Sequence, residues 1–172
     1  MRTAFKTALA LSLLAASANL VAQRASPHET VTATVDGAKI SITYGRPFMK
    51  GRTIMNGLVP YGKVWRTGAD EATTLVTDKA LMFGSVHVNP GTYTLYTVPN
   101  EKEWQLVINK QTGQWGTQYD QAQDLGRVPM KVSKTAGPVE QLTLAVADTP
   151  AGGELQISWE NTQATAAFTV MK

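Results

Sequence analysis

The chain has 172 residues, 43% hydrophobic and 17% charged, with a formal net charge of +3 and no cysteine. That length suits one domain burying roughly 70% of its unfolded surface. The missing cysteine excludes disulfides, thiolate metal sites, a Cys nucleophile and a lipid-modified N-terminal Cys.

Residues 1–22, MRTAFKTALALSLLAASANLVA, read as an export signal. Arg2 and Lys6 give a positive start, and Ala8 to Ala16 is an apolar run broken only by Ser12. Ala16-Ser17-Ala18 offers small side chains where a signal peptidase needs them. The run is far shorter than the ~20 residues of a bilayer span. The expected organisation is a signal peptide over 1–18 (alternative cleavage after Ala22), a flexible tail over 19–27 and one domain over 28–172. Cleavage removes two of the positive charges, which leaves no global case for nucleic-acid binding. A periplasmic or secreted location is expected, with no membrane span in the mature chain.

The remainder is dominated by period-two alternation, the pattern of half-buried strands. Val31, Ala33 and Val35 alternate with threonines. Asp36-Gly37 follows, a two-residue hairpin signal because both positions tolerate positive φ, and Ile40, Ile42 and Tyr44 continue it. Val35 and Ala38 should flank that turn as a facing pair. Further strands are expected at 73–77, at 80–88, at 92–98 (apolar on both faces, hence central) and at 103–109. Another is expected at 127–133, where Pro129 demands an edge or a bulge. The last three are 142–146, 154–160 and 164–170. One short helix around Gln118–Leu125 is the only helical expectation. Ten strands with almost no helix imply an all-β fold, most simply a two-sheet antiparallel sandwich, with a closed barrel as the alternative.

Residues 45–72 break the pattern. A long irregular loop inside one domain is uncommon and often functional. From Gly45 to Ala69 it carries Arg46, Lys50, Arg52, Lys63 and Arg66 and no acid; Asp70 and Glu71 follow at once, and Tyr61 and Trp65 are interleaved. Guanidinium forks suit carboxylates or phosphates, and aromatic faces suit sugar rings or cations. The candidate binding residues are therefore Arg46, Lys50, Arg52, Tyr61, Lys63, Trp65, Arg66 and Asp70. Trp115, between Gly113 and Gly116, joins them as a loop aromatic. The structural alternative buries Arg46 or Arg66 against Asp70, Glu71, Asp120 or Asp124, so that the loop is a fixed crossover. In either case Arg66 is expected to fold back onto the carboxylate of Asp70 or Glu71. Trp104 and Trp159 lie on alternating faces and are expected in the core.

Catalytic signals are sparse. There is no nucleophile elbow, no HExxH spacing and no phosphate-binding glycine loop, so no metal or cofactor is expected. His87 falls on the strand face of Leu81, Phe83 and Ser85, and His28, beside Glu29, is expected to be exposed.

The runs YGRPFMKGRTIMNGLVPYGKVWRTGADEAT, NPGTYTLYTVPNEKEWQLVINKQTGQWG and YDQAQDLGRVPMKV resemble family 2911 of domains of unknown function, exported bacterial proteins. The resemblance spans about residues 26–170. It departs at Asp70, where the pattern has Asn, and at Gly126, which interrupts an apolar pair before Arg127. It implies a β-rich fold and an exported context, and no activity. The leading expectation is a non-catalytic module that takes a small polar ligand, a glycan or an envelope protein through the 45–71 loop. The rivals are a periplasmic hydrolase using Asp70, Glu71 or His87 with Arg66 as anion stabiliser, and a purely structural accessory protein of the envelope.

Overall fold

A computed structural model describes residues 26–172; the segment read above as a signal peptide and most of the expected tail lie outside the described residues. Nine strands are present among the described residues: β1 (His28–Val35), β2 (Ala38–Gly45), β3 (Thr74–Thr77), β4 (Leu81–Phe83), β5 (Val86–Val88), β6 (Gly91–Val98), β7 (Glu103–Asn109), β8 (Asp124–Thr149) and β9 (Gly152–Val170). The class is all-β. The expected short helix is one 3-10 turn, Gln121–Gln123, whose Asp120 cap accepts a hydrogen bond from the Ala122 amide.

The strands join in one antiparallel sheet, ordered β1-β2-β3-β6-β7-β8-β9-β4-β5, rather than in two separate sheets. The core is enclosed because the long strands bend. Register shifts fall between Lys134 and Val139 and between Val139 and Thr143 in β8, and Glu160 in β9 takes φ 57°. Those bends interrupt the alternation, so the sequence reads two strands where the ladder runs on through each. Of the long β8, only Asp124–Lys131 pairs with β7. The vacated edge further along is taken by the chain that leaves β2: the Met49 amide donates to the Glu140 carbonyl at 2.7 Å and the Leu142 amide to the Pro47 carbonyl at 3.0 Å. The sheet thus curls until its two regions face each other across one core.

The first hairpin is as expected. Asp36 and Gly37 have φ of 46° and 75°, and Val35 pairs with Ala38. Pro129 pairs with Gln105 of β7 at a point where the β8–β9 ladder, which starts at Lys131, has not begun. Its missing N–H therefore costs no bond on that side. The expected single strand over 80–88 is instead the hairpin β4–β5, turning at Gly84 (φ 58°) and Ser85. The turn shifts the alternation, so Leu81, Phe83 and Val88 are buried while Met82 pairs with an exposed His87. Gly126 allows β5 to approach β8: a Cβ there would lie 2.6 Å from a Val86 methyl.

One hydrophobic cluster draws on both regions of the sheet, with Trp104 and Trp159 each 1% exposed, as expected for core residues. Ile54 and Val59 of the long loop belong to the same cluster.

Candidate functional site

The 45–72 segment is irregular, as expected, and it is anchored at both ends. Near its start the Ile54 and Met55 amides donate to the Glu160 carboxylate at 3.2 and 2.9 Å. Near its end Trp65 and Thr97 of β6 exchange two main-chain hydrogen bonds of 2.7 and 3.0 Å. Thr67 Oγ1 and Thr97 Oγ1 lie 3.0 Å apart, and Thr73 Oγ1 donates to the Thr67 carbonyl at 2.9 Å. Residues 67–70 are consequently buried. Thr67 and Asp70 both have positive φ, 53° and 64°, a conformation that side chains other than glycine adopt at a cost.

Between this segment, the 116–119 loop and Trp159 in the middle of β9 lies a partly open cavity of about 760 Å³. Its size is that of a small-molecule site. Five of the sequence-derived candidates line it: Lys50, Arg52, Trp65, Arg66 and Asp70. Phe48, Tyr96, Tyr119 and Trp159 complete an aromatic wall, and Leu58 and Val64, 48% and 37% exposed, add apolar surface. Trp65 stacks on Trp159 (centroids 5.9 Å apart, planes at 16°) and meets Trp104 edge-on at 6.1 Å. A second concavity, of about 530 Å³, lies over β1, β2 and β3 and has neither an aromatic ring nor a guanidinium in its lining.

Four candidates lie outside the cavity lining. Arg46 is a structural clamp: it pairs with the Glu29 carboxylate and donates to the Leu142 carbonyl at 2.9 Å and to Thr143 Oγ1 at 3.0 Å. Tyr61 is half-buried and Lys63 exposed, both away from the lining. Trp115 is 46% exposed; its main chain bridges to Glu71.

The expected bond from Arg66 to a carboxylate is not formed. Arg66 Nη1 donates to the main-chain oxygen of Asp70 at 3.4 Å. The reason lies in the 115–116 loop. The Gly116 amide donates to that same oxygen at 2.9 Å, and the Arg66 side chain lies so close over Gly116 that a Cβ there would sit 2.7 Å from Arg66 Cδ. Asp124 pairs instead with Arg127, at 3.2 Å, and also accepts from Tyr119 at 2.6 Å. His28, expected to be exposed, lies against Glu71 with Nε2 3.0 Å from the carboxylate.

Asp70 is 7% exposed, and its Oδ2 is sealed from solvent without a hydrogen-bond partner among the described residues. No cluster of three or more metal-ligating side chains occurs among the described residues.

Burial is the main cause that raises the pKa values of Tyr96 and Tyr119, reinforced at Tyr119 by the bond to Asp124. Burial likewise raises Tyr44, whose hydroxyl accepts from the Leu144 amide at 2.9 Å. A phenol whose folded-state pKa lies above its unfolded value contributes stability that is complete below pH ~10 and lost above it. Spectrophotometric titration should therefore show Tyr44, Tyr96 and Tyr119 ionising only above the ordinary phenol range, together with loss of native circular dichroism. Ionisation of these three at the ordinary phenol pKa in folded protein would contradict this packing.

Sequence reasoning missed the aromatic wall. Tyr96 was legible only as part of a doubly apolar strand, and Tyr119 fell inside the expected helix. Neither has a local signal that ties it to residues 65–70.

The fold and site define an all-β protein that curls one sheet around a core and opens an aromatic, mainly cationic cavity at the anchored end of its long loop. The family model for "Protein of unknown function (DUF2911)" matches residues 26–168, and the chain belongs to that family. No curated protein and no solved structure matches the chain. Among the described residues no helix is long and apolar enough to cross a membrane.

Proposed function

We propose that this protein is a non-catalytic binding module that holds a small polar ligand in the cavity between the 45–72 segment and the 116–119 loop, and that it does so in the periplasm or outside the cell. The observation that carries this reading is the convergence of Trp65, Arg66 and Asp70 on one cavity, on a segment hydrogen-bonded to β6 at one end and to Glu160 at the other. A rigid aromatic floor beside a few directed polar groups is the usual composition of a ligand site. The export expectation rests on residues 1–22. The hydrolytic reading gains less support, since it needs a second titratable group beside Asp70. His87 lies exposed on β5, and Glu71, which approaches His28, is outside the cavity lining.

The test is a thermal-shift panel of sugars, amino acids and organic acids. Ligands bound only by the folded state raise the melting temperature by mass action. At least one class should do so, and Thr117→Trp, which fills the cavity from an exposed lining position, should remove the shift with little change in the unliganded protein. Silence across the panel, or a shift that survives Thr117→Trp, would overturn the reading.

A further inference from the structure

The polar groups of the cavity narrow the class of ligand, on the reading above that the cavity is a binding site. Asp70 is a buried carboxylate whose Oδ2 accepts no hydrogen bond from the described residues. Carboxylates taken out of water without a partner are costly, and they are retained where something else supplies the donor. Its neighbour supplies the opposite charge without neutralising it. Arg66 spends one N–H on the Asp70 main-chain oxygen, and a guanidinium has five. The Thr73 hydroxyl, 3.2 Å from the Arg66 carbonyl and 2.9 Å from the Thr67 carbonyl, holds the turn that joins them. Asp70 and Arg66 both line the cavity, so one short loop brings to it a carboxylate without a partner, sealed at Oδ2 and open to a ligand only through its other oxygen, and a largely free cation.

We infer that the ligand is a zwitterion of the α-amino acid type: its ammonium meets the Asp70 carboxylate, its carboxylate meets the Arg66 guanidinium, and an apolar side chain rests against Trp65, which the buried Trp159 backs. An ammonium and a carboxylate on one carbon match two opposite charges held side by side. A neutral sugar donates hydroxyls to Asp70 but leaves its charge unmatched. An amine without a carboxylate meets net repulsion, because Lys50 and Arg52 also line the cavity. The Trp65 indole, held in place by stacking on the buried Trp159, suits an aromatic or branched side chain, and its face also favours the cationic end.

The experiment is a fluorescence titration of the full chain, read from tryptophan emission, with L-phenylalanine, N-acetyl-L-phenylalanine, L-phenylalaninamide and glucuronate as probes. L-Phenylalanine should give a saturable change. Blocking either its amine or its carboxylate should weaken binding at least about tenfold, as expected for loss of one charge-assisted bond. Asp70→Asn should remove the preference for the free amine over the acetylated form. If the acetylated form binds as well as the free amino acid, or glucuronate binds and L-phenylalanine does not, the zwitterion assignment falls and the binding reading stands. If no probe binds and the thermal-shift panel is silent, both fall. Should Asp70→Asn fail to fold, the blocked analogues on the unaltered chain decide the matter alone.

Discussion

Arg46→Ala should lower the unfolding free energy by about 2–3 kcal/mol, while Arg66→Ala should leave it within about 1 kcal/mol. Both arginines lie in the same basic segment, and their surroundings separate them. Arg46 joins the end of β2 to the second half of β8 through Leu142 and Thr143, and its own carbonyl accepts from Gln141 at 3.2 Å. Its partner Glu29 is 41% exposed, so the ion pair itself is screened and the main-chain and hydroxyl bonds carry most of the effect. Removal of the guanidinium leaves the Leu142 carbonyl without that donor at the seam where the sheet curls. Arg66 makes one long bond to a carbonyl that the Gly116 amide also satisfies. Chemical denaturation of the two variants measures the difference, and thermal unfolding should show a melting-temperature drop of about 5–10 °C for Arg46→Ala against little change for Arg66→Ala. Arg66→Ala should instead lose ligand binding. A large stability loss at Arg66 would make it a structural anchor and remove it from the site.

Trp159→Ala should cost about 3–5 kcal/mol, the range for emptying a buried aromatic site. Trp159 is 1% exposed, stacks on Trp65, and donates from Nε1 to the Glu140 carbonyl at 3.3 Å. That carbonyl also accepts from the Met49 amide, so one indole supports both the β8 bend and the start of the long loop. Urea unfolding followed by far-UV circular dichroism checks the value, and an unchanged m-value would show that the cost lies in the native state. A loss below about 1 kcal/mol would mean that Trp159 backs neither the core nor the cavity.

The strand content was legible because each half-buried strand writes its own alternation. Ile40, Ile42 and Tyr44 face the core with Lys39, Ser41 and Thr43 opposite them, and all three apolar residues are buried. Connectivity was less legible. At Glu160 the chain turns through a positive φ and the alternation breaks, yet hydrogen bonding to β8 resumes beyond it. The β4–β5 turn was hidden for the opposite reason. Gly84-Ser85 is a weak turn signal, and apolar residues on both sides gave one continuous run. For the site, local charge marked the right segment but could not rank its members. Arg46 and Arg66 look alike in sequence, and what distinguishes them is contact with residues about a hundred positions away in one case and with Gly116 in the other. The preference for a carboxylate partner at Arg66 failed on the same ground. The nearest acids are adjacent in sequence, but the buried turn presents the Asp70 main-chain oxygen instead.

Heteronuclear NMR titration with L-phenylalanine, in which the indole N–H of Trp65 and the backbone amides of Asp70 and Gly116 are followed, tests the central claim most directly. These three signals should move together along one saturation curve, while the exposed indole of Trp115, outside the cavity lining, stays in place. Shifts centred on Trp115 or on the outer face of β1–β3, with Trp65, Asp70 and Gly116 unmoved, would contradict it.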